Sequence, residues 1–160
     1  MSRPLKITIL LVIGVAFLAA SLGLARVLAA SGAERTLLEG LIADQGAGRS
    51  AEVTALLPDC APGSACATRT NAMIDRNSEA GGKVKILQID GGAPLSAGSA
   101  DGVARLAWKV GSGLPVVQCA VVRRQGSVTS GFEVDLLVLS KPIEAEGACP
   151  TVPELLAKPN

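Results

Sequence analysis

The sequence predicts an α+β fold: one N-terminal transmembrane helix, then a small domain of short helices packed on an antiparallel sheet of about four strands. Three observations predict it. An uncharged run of 19 residues, Ile7–Ala25, stands between Lys6 and Arg26. Apolar residues then recur at helical spacing as far as Arg76. From Lys83 the apolar period shortens to two, with Gly- and Pro-containing breaks between the alternating segments.

In a helix the uncharged run would span roughly 28 Å at 1.5 Å per residue, close to the hydrocarbon thickness of a bilayer. Arg3 and Lys6 precede it and Arg26 follows, a bias that places the N-terminus in the cytoplasm and the remainder across the membrane. Residues 5–30 would meet the lipid bilayer. A cleaved signal peptide is the alternative, with small residues at Ala19–Gly23 or Ala29–Ser31. The apolar core is longer than such leaders use, and Ala25–Ala30 extends the helical pattern.

Four segments follow: 1–30 as anchor or signal-like leader, 31–58 as a helical stem, 59–145 as an extracytoplasmic α+β domain, and 146–160 as a Pro-containing tail. Leu37, Leu38, Leu41 and Ile42 give the stem one apolar face, and Gly46 and Gly48 end it. Ser50 is placed to cap a second short helix carrying Val53, Leu56 and Leu57, stopped by Pro58. Ala67 to about Arg76 reads as a third helix, with Met73 and Ile74 inward. Strands are expected over Lys83–Ile89, Val103–Val110, Leu114–Arg124 and Phe132–Leu139, three of them in a meander, with a loop over Ala93–Asp101. Ala104, Leu106, Trp108 and Val110 share one face of the second strand. Phe132, Val134, Leu136 and Val138 share one face of the fourth. Arg105, Lys109, Glu133 and Asp135 would lie on the sheet's other face and pair across strands. The tail has room for one helical turn at Glu154–Ala157.

In outline, helices followed by a curved antiparallel sheet behind one anchor are similar to the periplasmic domains of secretion-system assembly proteins of the cone-shaped type. The likeness is one of element order, with no motif behind it.

Cys60, Cys66, Cys119 and Cys149 all follow the leader, which agrees with an oxidising compartment. Four cysteines allow three pairings. The preferred one joins Cys60 to Cys66 across the Pro62-Gly63 turn and Cys119 to Cys149 between a strand and the tail. A zinc site is the rival, but the five residues between Cys60 and Cys66 are too many for a usual zinc pair, and no second close pair exists.

Composition narrows the chemistry. The chain has no His and no Tyr, and its aromatics are Phe17, Trp108 and Phe132. That removes His-dependent nucleophilic triads, imidazole metal ligands and stacking platforms for bases. From Glu34 onward 12 basic residues face 14 acidic ones, so nucleic acid is not an expected partner. No phosphate loop, nucleophile elbow or calcium loop occurs, and no catalytic residue, metal or cofactor is expected.

Four residues stand out as partner or ligand contacts, each with a plainer reading. Trp108 would suit a binding site, but its alternating face suits the core better. Gln118 sits inside an apolar run and lines a pocket or bonds a neighbouring strand. Arg123 and Arg124 form either a headgroup or acidic-partner contact, or a solvated edge. The expected function is non-enzymatic: a single-pass membrane protein presenting a periplasmic or extracellular domain to other membrane or envelope proteins, as an accessory or structural subunit. The alternative is a periplasmic or extracellular module for a small apolar ligand or lipid.

Overall fold

The computed structural model describes residues 3–79, 81–94, 96, 98–127 and 129–157, with the backbone alone for residues 3–6. Leader and stem form one uninterrupted helix, α1 (Arg3–Gly46). It is long and apolar enough to cross a membrane. Its two halves have different surroundings. Ile7, Leu10, Leu11, Phe17 and Leu22 are 58–70% exposed and touch nothing that would hide them. Ala30, Glu34, Leu38, Leu41, Ile42 and Gln45 form a buried stripe at spacings of three and four residues.

A bend at Gly48 (φ 74°) turns the chain into α2 (Ser50–Ala55). Ser50 is not its cap. Arg49 occupies that position without a side-chain cap bond, held by its own ion pair with Asp44 at the end of α1. Ser50 is thereby the first helical residue, and its carbonyl accepts from the Thr54 hydroxyl. Helix α3 (Ala65–Asn77) begins two residues before its expected start because the Ser64 hydroxyl accepts from the Ala67 N–H at 3.1 Å. Ala67, Thr70 and Ile74 make its buried side.

The four strands, β1 (Val84–Gly92), β2 (Ala100–Val110), β3 (Val116–Ser127) and β4 (Gly131–Leu139), form one antiparallel meander in chain order. The loop expected over Ala93–Asp101 is shorter, because Ala100 and Asp101 already pair with Arg124 and Arg123. Leu95 and Ala97 lie outside the described residues. Two register shifts decide which side chains face the helices. One leaves Leu87 of β1 unpaired and 45% exposed. The other falls between Val121 and Val122, whose partners are Val138 and Leu136. The intervening Leu137 is extra. Val138, expected inward with Phe132, Val134 and Leu136, therefore lies opposite Val121 on the far face, and Leu139 takes the inward place beside Ala120.

Both faces of β2 and β3 are covered. Leu38, Leu41, Ile42, Val53 and Ile74 from the helices pack on Leu106, Trp108, Val110 and Val122. On the reverse face the tail closes over Cys119 and Val121. Ile143 bridges to Val117, and α4 (Val152–Ala157) brings in Leu155 and Val152. Among the described residues Arg105, Lys109, Glu133 and Asp135 form no ion pair with one another, and the cross-strand pair on that face is Arg123 with Asp101. Arg105 instead donates to the tail carbonyls of Gly147 and Ala145, and Asp135 accepts from Gln125. Hydrogen-bonding a loop over the sheet uses the same guanidinium that a cross-strand pair would need.

Candidate functional site

Disulfides join Cys60 to Cys66 and Cys119 to Cys149, with Cα separations of 5.1 and 5.7 Å. The first pins the turn between α2 and α3. The second fastens the tail to the middle of β3, where Cys119 is fully buried.

Of the four residues singled out as contacts, three lie inside the domain. Trp108 is fully buried, and its indole N–H donates to the Gln118 side-chain oxygen at 3.3 Å. The Gln118 amide donates in turn to the Ser140 carbonyl at 3.3 Å and meets the Met73 sulfur. A polar residue in an apolar strand is thus satisfied internally, as burial demands. Arg124 is also enclosed, with its side chain 1% exposed. It pairs with Glu34 of α1 at 3.1 Å and reaches the carbonyls of Pro94 and Ala93, with its guanidinium over the Phe132 ring. Glu34 accepts a further bond from the Ala93 N–H. This cluster joins the long helix to the centre of the sheet and to the loop after β1. It corrects the solvated-edge reading of Arg124: alternation along β3 sends consecutive residues to opposite faces, and Arg124 takes the helix side.

Arg123 takes the other side and stays partly exposed. It forms a two-pronged pair with Asp101 at 2.7 and 2.8 Å, and Asp135 stands opposite on β4. The Arg123 hydrogen bond holds the Asp101 carboxyl below its usual range, against the opposing effect of its burial. The same bond raises the Arg123 guanidinium.

Among the described residues a trough lies between α3 and the end of β4, made of two adjoining spaces of about 550 and 410 Å³ that share Arg69, Thr70 and Leu139. Its floor is apolar, from Leu57, Met73, Leu137 and Leu139. Arg69, Arg76 and Lys141 rim it, and Arg123 also lines it. A smaller hollow of about 310 Å³ opens over the Glu34–Arg124 pair, beside Ser31 and Arg35. Among the described residues no group of His, Cys, Asp and Glu is arranged to hold a metal ion.

No family model, curated protein or solved structure matches the chain. The outline likeness to cone-shaped assembly domains therefore rests on element order alone.

Sequence reasoning missed the trough and the role of Glu34. The trough is assembled from residues as far apart as Leu57 and Lys141, which no local pattern connects. Glu34 did leave a trace. It is the first acidic residue of the chain and falls on the same helical face as Leu38, Leu41 and Ile42.

Proposed function

We propose that this chain is a non-enzymatic, single-pass membrane protein with its N-terminus in the cytoplasm. Its disulfide-bonded domain is presented on the far side of the membrane as an accessory or structural subunit that binds other envelope proteins. The supporting observation is the division of α1. Its first half has an uncovered surface, uncharged from Ile7 to Ala25, that suits lipid, and its second half is a wall of the domain core. Both disulfides support an oxidising compartment. Because no linker separates anchor from core, the domain would stand at a fixed height and angle above the bilayer, which suits a part that docks on membrane-held neighbours.

Purification from detergent-solubilised native membranes, with mass spectrometry of the intact chain and its companions, tests the proposal. An intact leader with reproducible stoichiometric companions is expected. A processed chain recovered alone overturns it. The trough favours a second reading, a module for a small apolar ligand or lipid, because its combined volume exceeds the roughly 300 Å³ that ligand sites begin at.

A further inference from the structure

The trough also bears on the chemistry of the partner. Arg69, Arg76 and Lys141 are exposed. The ion pairs among the described residues are Arg35–Glu39, Arg49–Asp44, Arg123–Asp101 and Arg124–Glu34, so these three cations have no acidic partner there. Asp59 is the one carboxylate on the lining. A domain with more acidic than basic residues thus gathers unpaired positive charge along one apolar furrow. The furrow runs beside β4, which among the described residues pairs with β3 on one side and with no strand on the other.

Position argues against lipid as the occupant. Arg26 donates to the Thr129 carbonyl in the turn before β4, so the start of β4 lies level with the exit of the apolar run. Leu137 is six residues further along β4, about 20 Å away at 3.3 Å per residue. With the apolar run of α1 in the bilayer and β4 directed away from it, the trough would open beyond the headgroups.

We infer that the trough receives an extended acidic segment of a partner protein, with its carboxylates against Arg69, Arg76 and Lys141. This rests on the reading that the domain binds another envelope protein.

Binding is measured by fluorescence anisotropy on the full chain in detergent micelles. The probes are fluorescein-labelled peptides of alternating Val-Glu, Val-Gln and Val-Lys. The Val-Glu peptide should bind tightest and weaken as salt rises, and the triple variant Arg69→Glu/Arg76→Glu/Lys141→Glu should lose about tenfold or more of that affinity. All three positions are exposed, and far-UV circular dichroism confirms that the variant is folded. Equal binding of the three peptides, or unchanged binding by the folded variant, overturns the inference.

A photo-crosslinking residue at Ala72 in the trough, or at Ile86 on the opposite sheet edge, extends the test to native membranes. Supporting the inference requires an adduct from Ala72 that is lost in the triple variant and whose partner peptide is acidic. Adducts from Ile86 alone sink the trough and leave the accessory-subunit reading standing. Adducts from neither position overturn the trough inference and leave the accessory-subunit reading to the purification experiment. An Ala72 adduct with lipid, or with a second copy of this chain, overturns the acidic-segment inference.

Discussion

At the scale of single residues, the energetics turn on which charges are enclosed. Glu34 and Arg124 are both removed from water, so each depends on the other. Removing one partner of such a pair strands a buried charge. Arg124→Met should therefore destabilise the domain by about 3–5 kcal/mol. The double variant Glu34→Leu/Arg124→Met should recover most of that loss, because apolar pairs of similar volume replace buried ion pairs at little cost. Urea unfolding followed by the emission of Trp108, fully buried when folded, measures both. Recovery that fails to appear would mean that the bonds to Ala93 and Pro94, rather than the charge pair, hold the loop.

The Asp101–Arg123 pair behaves differently because both side chains reach solvent. Its contribution is small and screened by salt. Since folding lowers the Asp101 pKa, that contribution is complete above the usual carboxyl value of 3.8 and fades as pH falls through the depressed folded value. The stability difference between wild type and Asp101→Asn should therefore be present at pH 7 and shrink as pH falls below 3.8. A difference that does not shrink on acidification would assign the effect to hydrogen bonding of the neutral group.

At the scale of elements, close approach sets the sharpest limits. Gly46 ends α1 against β1 and β2, and a Cβ there would overlap Val84 and crowd Val110. Alanine raises helix propensity by about 1 kcal/mol over glycine, but overpacking against stiff β-branched side chains costs about 1–3 kcal/mol. The second effect should win, and Gly46→Ala should lower the unfolding midpoint. The two disulfides constrain the unfolded chain unequally. The Cys119–Cys149 bridge closes a separation of 30 residues and Cys60–Cys66 one of 6. Loop-closure entropy then assigns about 3.5 kcal/mol to the first and about 2 kcal/mol to the second. Paired serine substitutions should show that order by denaturant unfolding, and detachment of the tail should accompany loss of the longer bridge.

At the scale of the molecule, α1 belongs to two environments, and truncation separates them. A chain beginning at Ala25 keeps every buried residue of α1 and should fold without detergent. A chain beginning at Ala47 lacks Leu38, Leu41 and Ile42, all essentially unexposed. Each large-to-small loss in a core costs about 2–5 kcal/mol, and a domain's whole stability is about 5–15 kcal/mol. The shorter chain should therefore show no cooperative thermal transition by circular dichroism. If both truncations fold alike, the second half of α1 is an ornament rather than a wall of the core.

The sequence by itself determined the class of the fold, because periodicity is local. The 19-residue uncharged run, the helical stripe of Leu38, Leu41 and Ile42, and the alternation of Ala104, Leu106, Trp108 and Val110 are each visible within one element. The preferred disulfide pairing was legible for a similar reason: a Pro-Gly turn brings Cys60 and Cys66 together without help from the rest of the chain. Tertiary structure decided what depends on two elements meeting. The bulge at Leu137 that exchanged Val138 for Leu139 arises from pairing with β3, and no alternation within β4 announces it. The burial of Arg124 required Glu34, 90 residues earlier in the chain, to stand opposite it. The trough required α3 and the end of β4 to lie side by side with a gap between them. A local pattern records which face a residue prefers. Only the packed molecule records what that face encounters, and charge and concavity acquire their meaning there.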